Sequence, residues 1–448
     1  MAVHPVARLH ELGVRAMAEA VVKGELTPTD LAEAALQRIA AVDPRVQAWS
    51  YLDAERARRE AAELTAEATA DRLRGPLHGV PVGIKDEFHV QGMPTGMRGP
   101  GAPPEPEDAT PVARLRAAGA IILGKLHMPV GGVMPPTRNP WNLEHTAGGS
   151  SSGSGAAVAA RMVPVALGEQ TGGSTLRPAA FCGVAGLKPT FGRISRYGCY
   201  PFTWSFDHPG IIGLTIEDIA LVLSVVAGAD PRDRASLPDP PPPAVLQKLS
   251  KPPRIGVVSN FYPERTEPVM RAAIEGAAER LGQAGANVRD LPLPEEFGLT
   301  WHVHRVIFDV EGAAFRARHA GETGRQSSVE LREMAASLVP AVYYLQAQRV
   351  RRWLHERIQG VFAEVDALLM AVAPGPAPKG LHSTGDASLQ SPWSCLGYPA
   401  LTVSGGLSPD GLPLGLQFVG RPRQDYELCQ VGAWCEAALG RLPAPPLP

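Results

Sequence analysis

The chain has 448 residues, of which 44% are hydrophobic, and its formal net charge at pH 7 is −2. This composition predicts a globular protein with a sizeable core and argues against a disordered chain. Lysine and arginine form no basic run, so the charge pattern favours neither nucleic acid nor an anionic membrane surface as a partner.

The N-terminal segment and the cysteines bear on location and metal content. Residues 1–13 lack the apolar core of a signal peptide, and no apolar run reaches the roughly 18 residues of a membrane span. The five cysteines form no CxxC pair, and no histidines have zinc spacing. We therefore expect a cytoplasmic protein that needs no metal or cofactor.

The first 74 residues predict two helices. Thr27 can cap a helix over residues 27–41, in which Pro28 fits the first turn and Asp30 completes a capping-box pattern. Residues 54–73 are rich in alanine, glutamate and arginine and predict a second, exposed helix.

From Gly75 onward the chain is rich in glycine, proline, serine and threonine, and short apolar runs predict buried strands. A helix-like stretch ends at Ala118, where Gly119 suits the C-cap. This alternation predicts an α/β sheet. The strands expected up to the proline-rich loop 238–243 are residues 80–84, 120–123 and 163–167. Those expected after it are residues 254–259, 367–372, 399–404 and 414–419, with helices near 267–284 and 340–364, and the last two strands pair around a turn at 409–411.

A lysine follows the first of these apolar runs directly. Lysine is rarely buried unless it is paired or functional, so Lys85 is a candidate functional residue. Its ordinary alternative is a lysine at a strand end that reaches solvent.

A second candidate is the Gly/Ser segment 145–155, which contains Ser150 and precedes the helix-forming residues 156–160. A loop of this kind presents N–H groups and hydroxyls to an anion or a reacting oxygen. It lacks the Gly-Lys-Ser/Thr ending of a phosphate-binding P-loop. The alternative is a flexible turn.

The third candidate is Thr171-Gly172-Gly173-Ser174. Two glycines before a serine let the backbone turn sharply and direct successive N–H groups at one point, as an oxyanion hole requires. The segment is not the GxSxG elbow of α/β-hydrolases. Each of the three candidates is a weak signal by itself.

Taken together, the three segments resemble the amidase signature family. The best match covers residues 148–196, and further matching blocks are 79–86, 138–142, 215–233, 384–386, 392–393 and two blocks near the end of the chain. The resemblance extends over nearly the whole chain and is closest to stand-alone amidase and urethanase-type members. It implies an α/β fold in which a central twisted mixed sheet is covered by helices on both faces.

The implied organisation is one domain over residues 1–448. It comprises N-terminal helices at 1–74, a signature core at 75–235, the proline-rich loop 238–243 and the C-terminal part of the same core at 252–448.

The resemblance also implies roles for the three candidates. Ser174 matches the nucleophile, Ser150 the relay serine that follows a cis peptide bond, and Lys85 the base. The backbone N–H groups of Thr171, Gly172, Gly173 and Ser174 match the oxyanion hole. A lysine serves as a base only when neutral, so its pKa must fall from about 10.4 toward 7–8, and burial could lower it.

Three departures from the family pattern concern substrate binding. Gln170 replaces the common aspartate, and Arg177 follows the nucleophile by three residues instead of two. Both are candidate substrate-binding residues, and the alternative for Arg177 is to hold loop carbonyls. The segment between Lys125 and Asn139 is short, and Gly131 and Gly132 in it are expected to line the acyl pocket.

The sequence thus predicts a serine hydrolase that cleaves amide-type C–N bonds of a small-molecule amide or carbamate, as a monomer or homodimer. The short segment suggests tolerance of bulky leaving groups, including anilides and carbamates. The second hypothesis is the amidase subunit of a tRNA-dependent amidotransferase. The third is a non-catalytic scaffold that has kept the fold.

Overall fold

The computed structural model of the chain describes residues 6–99, 101–318 and 334–447. Strands are numbered here in chain order: β1 (Trp49–Leu52), β2 (Pro81–Lys85), β3 (Ile121–Leu126), β4 (Arg138–Asn139), β5 (Asn142–Thr146), β6 (Val165–Gln170), β7 (Ala185–Lys188), β8 (His208–Gly213), β9 (Arg254–Val258), β10 (Asn287–Leu291), β11 (Ala367–Ala371), β12 (Ala400–Leu407) and β13 (Pro413–Val419). Within the described residues, eleven of them form one mixed sheet in the order β1-β3-β2-β6-β8-β7-β12-β13-β11-β9-β10, while β4 and β5 pair separately.

Helices surround this sheet. The α-helices of the described residues are Val14–Val22, Pro28–Val46, Ala54–Thr69, Thr110–Ala117, Ser152–Ala159, Leu176–Phe181, Ile216–Val226, Pro268–Gln283, Thr300–Arg318, Ala341–Ile358, Ser391–Leu396 and Asp425–Leu439. Short 3₁₀ helices lie at Val6–Glu11, Gly96–Arg98, Pro263–Arg265, Glu295–Leu299 and Gln359–Ala363. None of these described helices is both long and apolar enough to span a membrane.

The predicted capping box at Thr27 is confirmed. The Thr27 hydroxyl accepts a hydrogen bond from the Asp30 N–H at 3.1 Å, and the Asp30 carboxylate accepts one from the Thr27 N–H at 2.8 Å. The helix runs beyond the predicted end at residue 41 because Val42 and Val46, both fully buried, continue its apolar face.

Both faces of the sheet are buried, as the predicted fold requires. On β3, Ile122 packs into one hydrophobic cluster, whereas its neighbours Ile121 and Leu123 pack into another. On β8, Ile211 and Ile212 divide in the same way. Because successive side chains of a strand point to opposite faces, the two clusters cover the two sides of the sheet.

The apolar runs in the sequence predicted the positions of most of the strands in the sheet. The strands predicted near residues 80, 120, 163, 254 and 367 are confirmed, and β12 pairs with β13 antiparallel, with Ala400 opposite Val419. The sequence analysis missed β7 and β8, which form the centre of the sheet. Their apolar runs are interrupted by glycine and proline, which weaken a strand pattern.

The sheet places two of the candidate segments side by side. Strands β2 and β6 are adjacent and parallel, with Val82 opposite Val165 and Ile84 opposite Leu167. Their carboxyl ends therefore lie at the same edge, which is where ligands bind in open α/β sheets. Lys85 ends β2, and the Thr171–Ser174 segment follows β6 directly.

Candidate active site

Lys85 lies fully buried at the carboxyl end of β2. Its Nζ donates hydrogen bonds to Ser150 Oγ at 2.8 Å and to the Glu169 carbonyl oxygen at 3.3 Å. The alternative of a strand-end lysine reaching solvent is therefore wrong. The contact joins two segments that lie 65 residues apart in the sequence.

Two carboxylates also face the Lys85 ammonium group. Glu87 Oε2 and Glu169 Oε2 each lie 3.1 Å from Nζ, and both side chains are almost fully buried. Burial lowers the pKa of Lys85, but these two carboxylates outweigh it and raise the pKa above its ordinary value. The expectation that burial lowers this pKa toward neutrality is wrong, because the sequence analysis did not foresee the two carboxylates.

Ser151 ties the Ser150 loop to β6, and Ser154 ties the helix that follows the loop to the same strand. The Ser151 hydroxyl accepts a hydrogen bond from the Glu169 N–H and lies at the same distance, 3.2 Å, from the Glu169 carbonyl oxygen. Ser154 donates to the Leu167 carbonyl at 2.9 Å. The peptide bond between Gly149 and Ser150 is cis, as the family resemblance implies. The loop is thus a fixed element and not a flexible turn.

The carbonyl groups of the Ser174 loop are held by protein donors. Gly172 O accepts a hydrogen bond from Ser394 Oγ at 2.7 Å, and Gly173 O accepts one from the Arg177 N–H at 3.0 Å. Ser174 O accepts one from the Ser151 N–H at 3.1 Å. In a planar trans peptide the next N–H points opposite to the carbonyl. The N–H groups of Gly173 and Ser174 are therefore directed away from these anchors, in the manner of oxyanion-hole donors.

Gln170 is fully buried beneath this loop. Its Oε1 accepts hydrogen bonds from the N–H groups of Thr175 and Leu176 at 3.1 and 3.0 Å, and its Nε2 donates to Ser394 Oγ at 3.0 Å. The side-chain amide is thus engaged by the loop and by the helix that follows. A direct contact of Gln170 with substrate stays a prediction.

Arg177 is buried and holds the Ser150 loop. Its Nη2 donates to the Gly149 carbonyl at 2.5 Å and to Thr384 Oγ1 at 3.2 Å. Burial lowers the pKa of Arg177 to about 10, so the guanidinium stays charged at neutral pH. Its Nε and Nη1 have no partner among the described residues. The structure shows the loop-holding contact, and the substrate-binding alternative stays a prediction.

His304 lies against the other side of the Ser174 loop. Its ring stacks on Phe206 and Phe308 at centroid distances of 4.9 and 5.5 Å and faces Gly172. Burial lowers the pKa of His304 to about 4, so the imidazole is neutral at physiological pH. The sequence analysis did not identify this residue.

Gly131 and Gly132 form an exposed turn with positive φ angles of 61° and 88°. The turn is closed by reciprocal backbone hydrogen bonds between Val130 and Val133 at 3.1 and 2.9 Å. No hydrogen bond within the described residues joins it to the Ser174 loop. Its role as pocket lining stays a prediction.

Ser394 offers a test of the loop anchors. In the Ser394→Ala variant the Gly172 carbonyl loses its donor, so the Gly173 N–H of the predicted oxyanion hole is held less firmly. We expect kcat to fall about 10-fold, less than the 10²–10³-fold typical of removing an oxyanion donor outright. Steady-state kinetics with an amide substrate measure this. A rise in KM with an unchanged kcat would contradict the anchoring role.

Solved structures similar to this one include amidases. The native peptide amidase from Stenotrophomonas maltophilia is 31% identical with a TM-score of 0.84, and the alignment covers 99% of this chain and 100% of the amidase. A chain from an inhibitor-bound vestigial protein complex that reveals the evolutionary origins of an s-triazine catabolic enzyme is 31% identical with a TM-score of 0.88, and the alignment covers 96% of this chain and 100% of that one. The fold and the loop cluster thus define an amide-hydrolase class of α/β protein.

The chain belongs to the amidase family, since the family model described as "Amidase" matches residues 30–429. Curated relatives carry a more specific name, that of a glutamyl-tRNA(Gln) amidotransferase subunit. The relative from Roseiflexus sp. (strain RS-1) is 37% identical over 95% of this chain and 96% of its own length. The one from Anaeromyxobacter sp. (strain K) is 36% identical over 99% of both chains.

Proposed function

We propose that the chain cleaves amide-type C–N bonds through an acyl-enzyme on Ser174, with Ser150 as proton relay and Lys85 as base. The observation that carries this is the 2.8 Å hydrogen bond between the fully buried Lys85 Nζ and Ser150 Oγ. A serine hydroxyl is a weak nucleophile and needs a base within such reach.

The proposed reaction moves one proton along this line. Ser174 Oγ attacks the substrate carbonyl carbon as its proton passes to Ser150 Oγ, while the Ser150 proton passes to Lys85 Nζ. The N–H groups of Gly172, Gly173 and Ser174, with that of Thr171, stabilise the oxyanion. The proton returns through Ser150 to the leaving nitrogen when the C–N bond breaks. Water then hydrolyses the ester on Ser174 by the same relay.

Gln170 and Arg177 support this chemistry through the loops. Because the amide of Gln170 engages two backbone N–H groups and Ser394, we assign it to shaping the Ser174 loop. Because Arg177 donates to the Gly149 carbonyl, we assign it first to holding Ser150 in place.

The relatives favour the amidotransferase subunit, which the sequence analysis ranked second, as the setting of this chemistry. They align at 36–37% identity over nearly their whole length. An exposed apolar segment supports association with another protein, because exposed apolar side chains that cluster on a monomer mark interfaces. Its side chains lie on and just before the helix Ala341–Ile358 and are Met334, Leu338, Val342, Tyr343, Leu345 and Trp353.

A substrate panel separates this setting from a stand-alone amidase. The short 129–137 segment predicts an open acyl side, so we expect the isolated chain to cleave anilides or carbamates with a kcat/KM at least about 10-fold above that for primary amides, a ratio that differential binding in a pocket can supply. Amine release by the purified chain measures it. Activity restricted to glutamine, and only with a co-purified second protein, would establish the amidotransferase setting instead. A strict preference for small primary amides would sink the open-pocket hypothesis.

A further inference from the structure

Lys85 belongs to a buried cluster that holds more negative than positive charge. Glu87 and Glu169 face its ammonium group, and Asp207 is linked to Glu169 through Thr171, whose hydroxyl lies 3.2 Å from Glu169 Oε1 and 2.9 Å from Asp207 Oδ1. One cation thus stands against three carboxyl groups. An excess of buried negative charge is costly, so a carboxyl group of this cluster takes up a proton more readily than an ordinary one.

The hydrogen-bond donors around each carboxyl group indicate which of the three accepts a proton most readily. Asp207 accepts bonds from the Phe202 N–H at 2.7 Å, the Thr203 N–H at 2.9 Å and the hydroxyl of Thr171. Burial and Glu169 raise the pKa of Asp207 to about 7, and these donors limit that rise because they stabilise the ionised form. Glu169 Oε2 accepts from Lys85, and its Oε1 lies 3.2 Å from the Thr171 hydroxyl, which shares its single proton between Glu169 and Asp207.

Glu87 has the poorest set of donors. Apart from Lys85, the one hydrogen-bond partner of its side chain among the described residues is the Cys199 thiol, with Sγ 3.7 Å from Oε1, and a thiol is a weak donor. Glu169, Asp207 and the buried Lys125 are further charged groups that act on it. Burial raises the pKa of Glu87 well above its ordinary range, and Lys85 offsets this only in part.

We propose that Glu87 is the proton store of Lys85, a positioning residue that accepts a proton from the Lys85 ammonium group and so leaves a neutral amine facing Ser150. The proposal rests on the proposed function, since it concerns the base of that reaction. A base must be neutral, but the carboxylates around Lys85 raise its pKa, so it would lose its proton to solvent only at alkaline pH. Transfer of the proton to Glu87 gives a neutral amine without that loss to solvent.

The proton balance is closed within the cluster. One proton moves from Lys85 Nζ to Glu87 Oε2 across 3.1 Å, which converts the ion pair into a neutral amine and a carboxylic acid with no change in net charge. The neutral amine then takes the proton of Ser150 as Ser174 attacks. After the leaving nitrogen has received its proton through Ser150, the proton on Glu87 returns to Lys85.

The Glu87→Gln variant tests the store by its pH profile. Glutamine keeps the shape of the side chain but cannot accept the proton, so Lys85 must lose it to solvent. We expect kcat/KM to fall about 10-fold or more at neutral pH, within the range of general-base effects, and to recover as the pH rises. The acidic limb of the profile moves to higher pH. The matched control is Glu436→Gln, which removes a carboxyl group with a pKa of about 7 outside the cluster, and its profile should overlay that of the unmodified enzyme.

Other outcomes overturn the proposal. If Glu87 only keeps Lys85 charged, the acidic limb of the Glu87→Gln profile moves to lower pH, and a purely structural role gives a loss that is equal at every pH. Should Glu87→Gln fail to fold, Glu87→Asp supplies the test, because its shorter side chain weakens the contact and gives a smaller upward shift of the acidic limb, while an unshifted limb overturns the store. Failure of the proposed function gives a different result. In that case the Ser174→Ala variant, with Glu87 unchanged, keeps its turnover.

Discussion

Replacement of Ser174 by alanine is expected to lower kcat/KM by about 10⁴-fold or more, since loss of the nucleophile in serine hydrolases leaves only the contribution of binding and the oxyanion hole. Ser174 follows two glycines, and a Cβ on the second of them would collide with Gln390 Oε1, so a larger residue there would displace the Gln390 side chain. Turnover of the best substrate in the panel measures the loss. Covalent labelling by a fluorophosphonate, followed by mass spectrometry of the intact chain, should disappear in the same variant.

Ser154→Ala is the matched control for this variant. Ser154 is a fully buried serine near the same loops, and its hydroxyl donates to the Leu167 carbonyl at 2.9 Å. Its removal costs about 1 kcal/mol of stability, typical of one hydrogen bond, and should leave labelling intact. Unchanged turnover in Ser174→Ala would assign the nucleophile to another residue and remove the basis of the proposed reaction.

The sequence predicted those parts of the fold and site whose signals are local. An apolar run ending in Lys85 defines a buried strand, and a glycine pair before Ser174 defines a tight loop. Periodicity alone could not show which strands are neighbours. In the structure β2 pairs with β6, and this pairing places Lys85 next to the start of the Ser174 loop.

The residues that support the loops could not be predicted, because they come from distant segments. Ser394 reaches Gly172 across 222 positions, and Asp207 reaches Thr171 across 36. His304 lies on a long helix whose pattern indicates only a buried face. Glu87 did carry a local signal, since it stands two residues after Lys85. Only the folded structure shows that its carboxylate turns back to Nζ.

Burial alone does not identify a catalytic lysine in this chain. Lys85, Lys125 and Lys188 are all fully buried. Burial lowers the pKa of Lys188 to about 7, which by itself would suit a general base. Its Nζ, however, donates to the carbonyl of Pro189 at 3.1 Å and to that of Tyr398. Lys125 pairs with Asp86 at 2.9 Å. Of the three, Lys85 is the one whose hydrogen bonds within the described chain include the hydroxyl of a serine.

Lys85→Met is therefore expected to lower kcat/KM by about 10⁴-fold, comparable to the loss of another member of a catalytic unit. Without the ammonium group, Ser150 has no base at 2.8 Å, and Glu87 and Glu169 lose their cation. The free energy of unfolding should fall by about 3–5 kcal/mol, typical of breaking a buried ion pair. Because Glu87 then has an even higher pKa in the folded state, the folded variant is favoured at low pH, and its Tm should be higher at mildly acidic than at alkaline pH.

Lys188→Met separates the chemical effect from the loss of a buried lysine. Its contacts are backbone carbonyls outside the Ser150 and Ser174 loops, so kcat/KM should stay within about 10-fold of the unmodified enzyme while the Tm falls, as expected for buried carbonyls left without a donor. Equal losses of activity in the two variants would show that Lys85 acts through stability alone. Both variants should be assayed at a temperature where circular dichroism shows that they are folded. A large loss of kcat/KM in Lys85→Met alone identifies Lys85, which contacts Ser150, as the base, although the lowered pKa would favour Lys188.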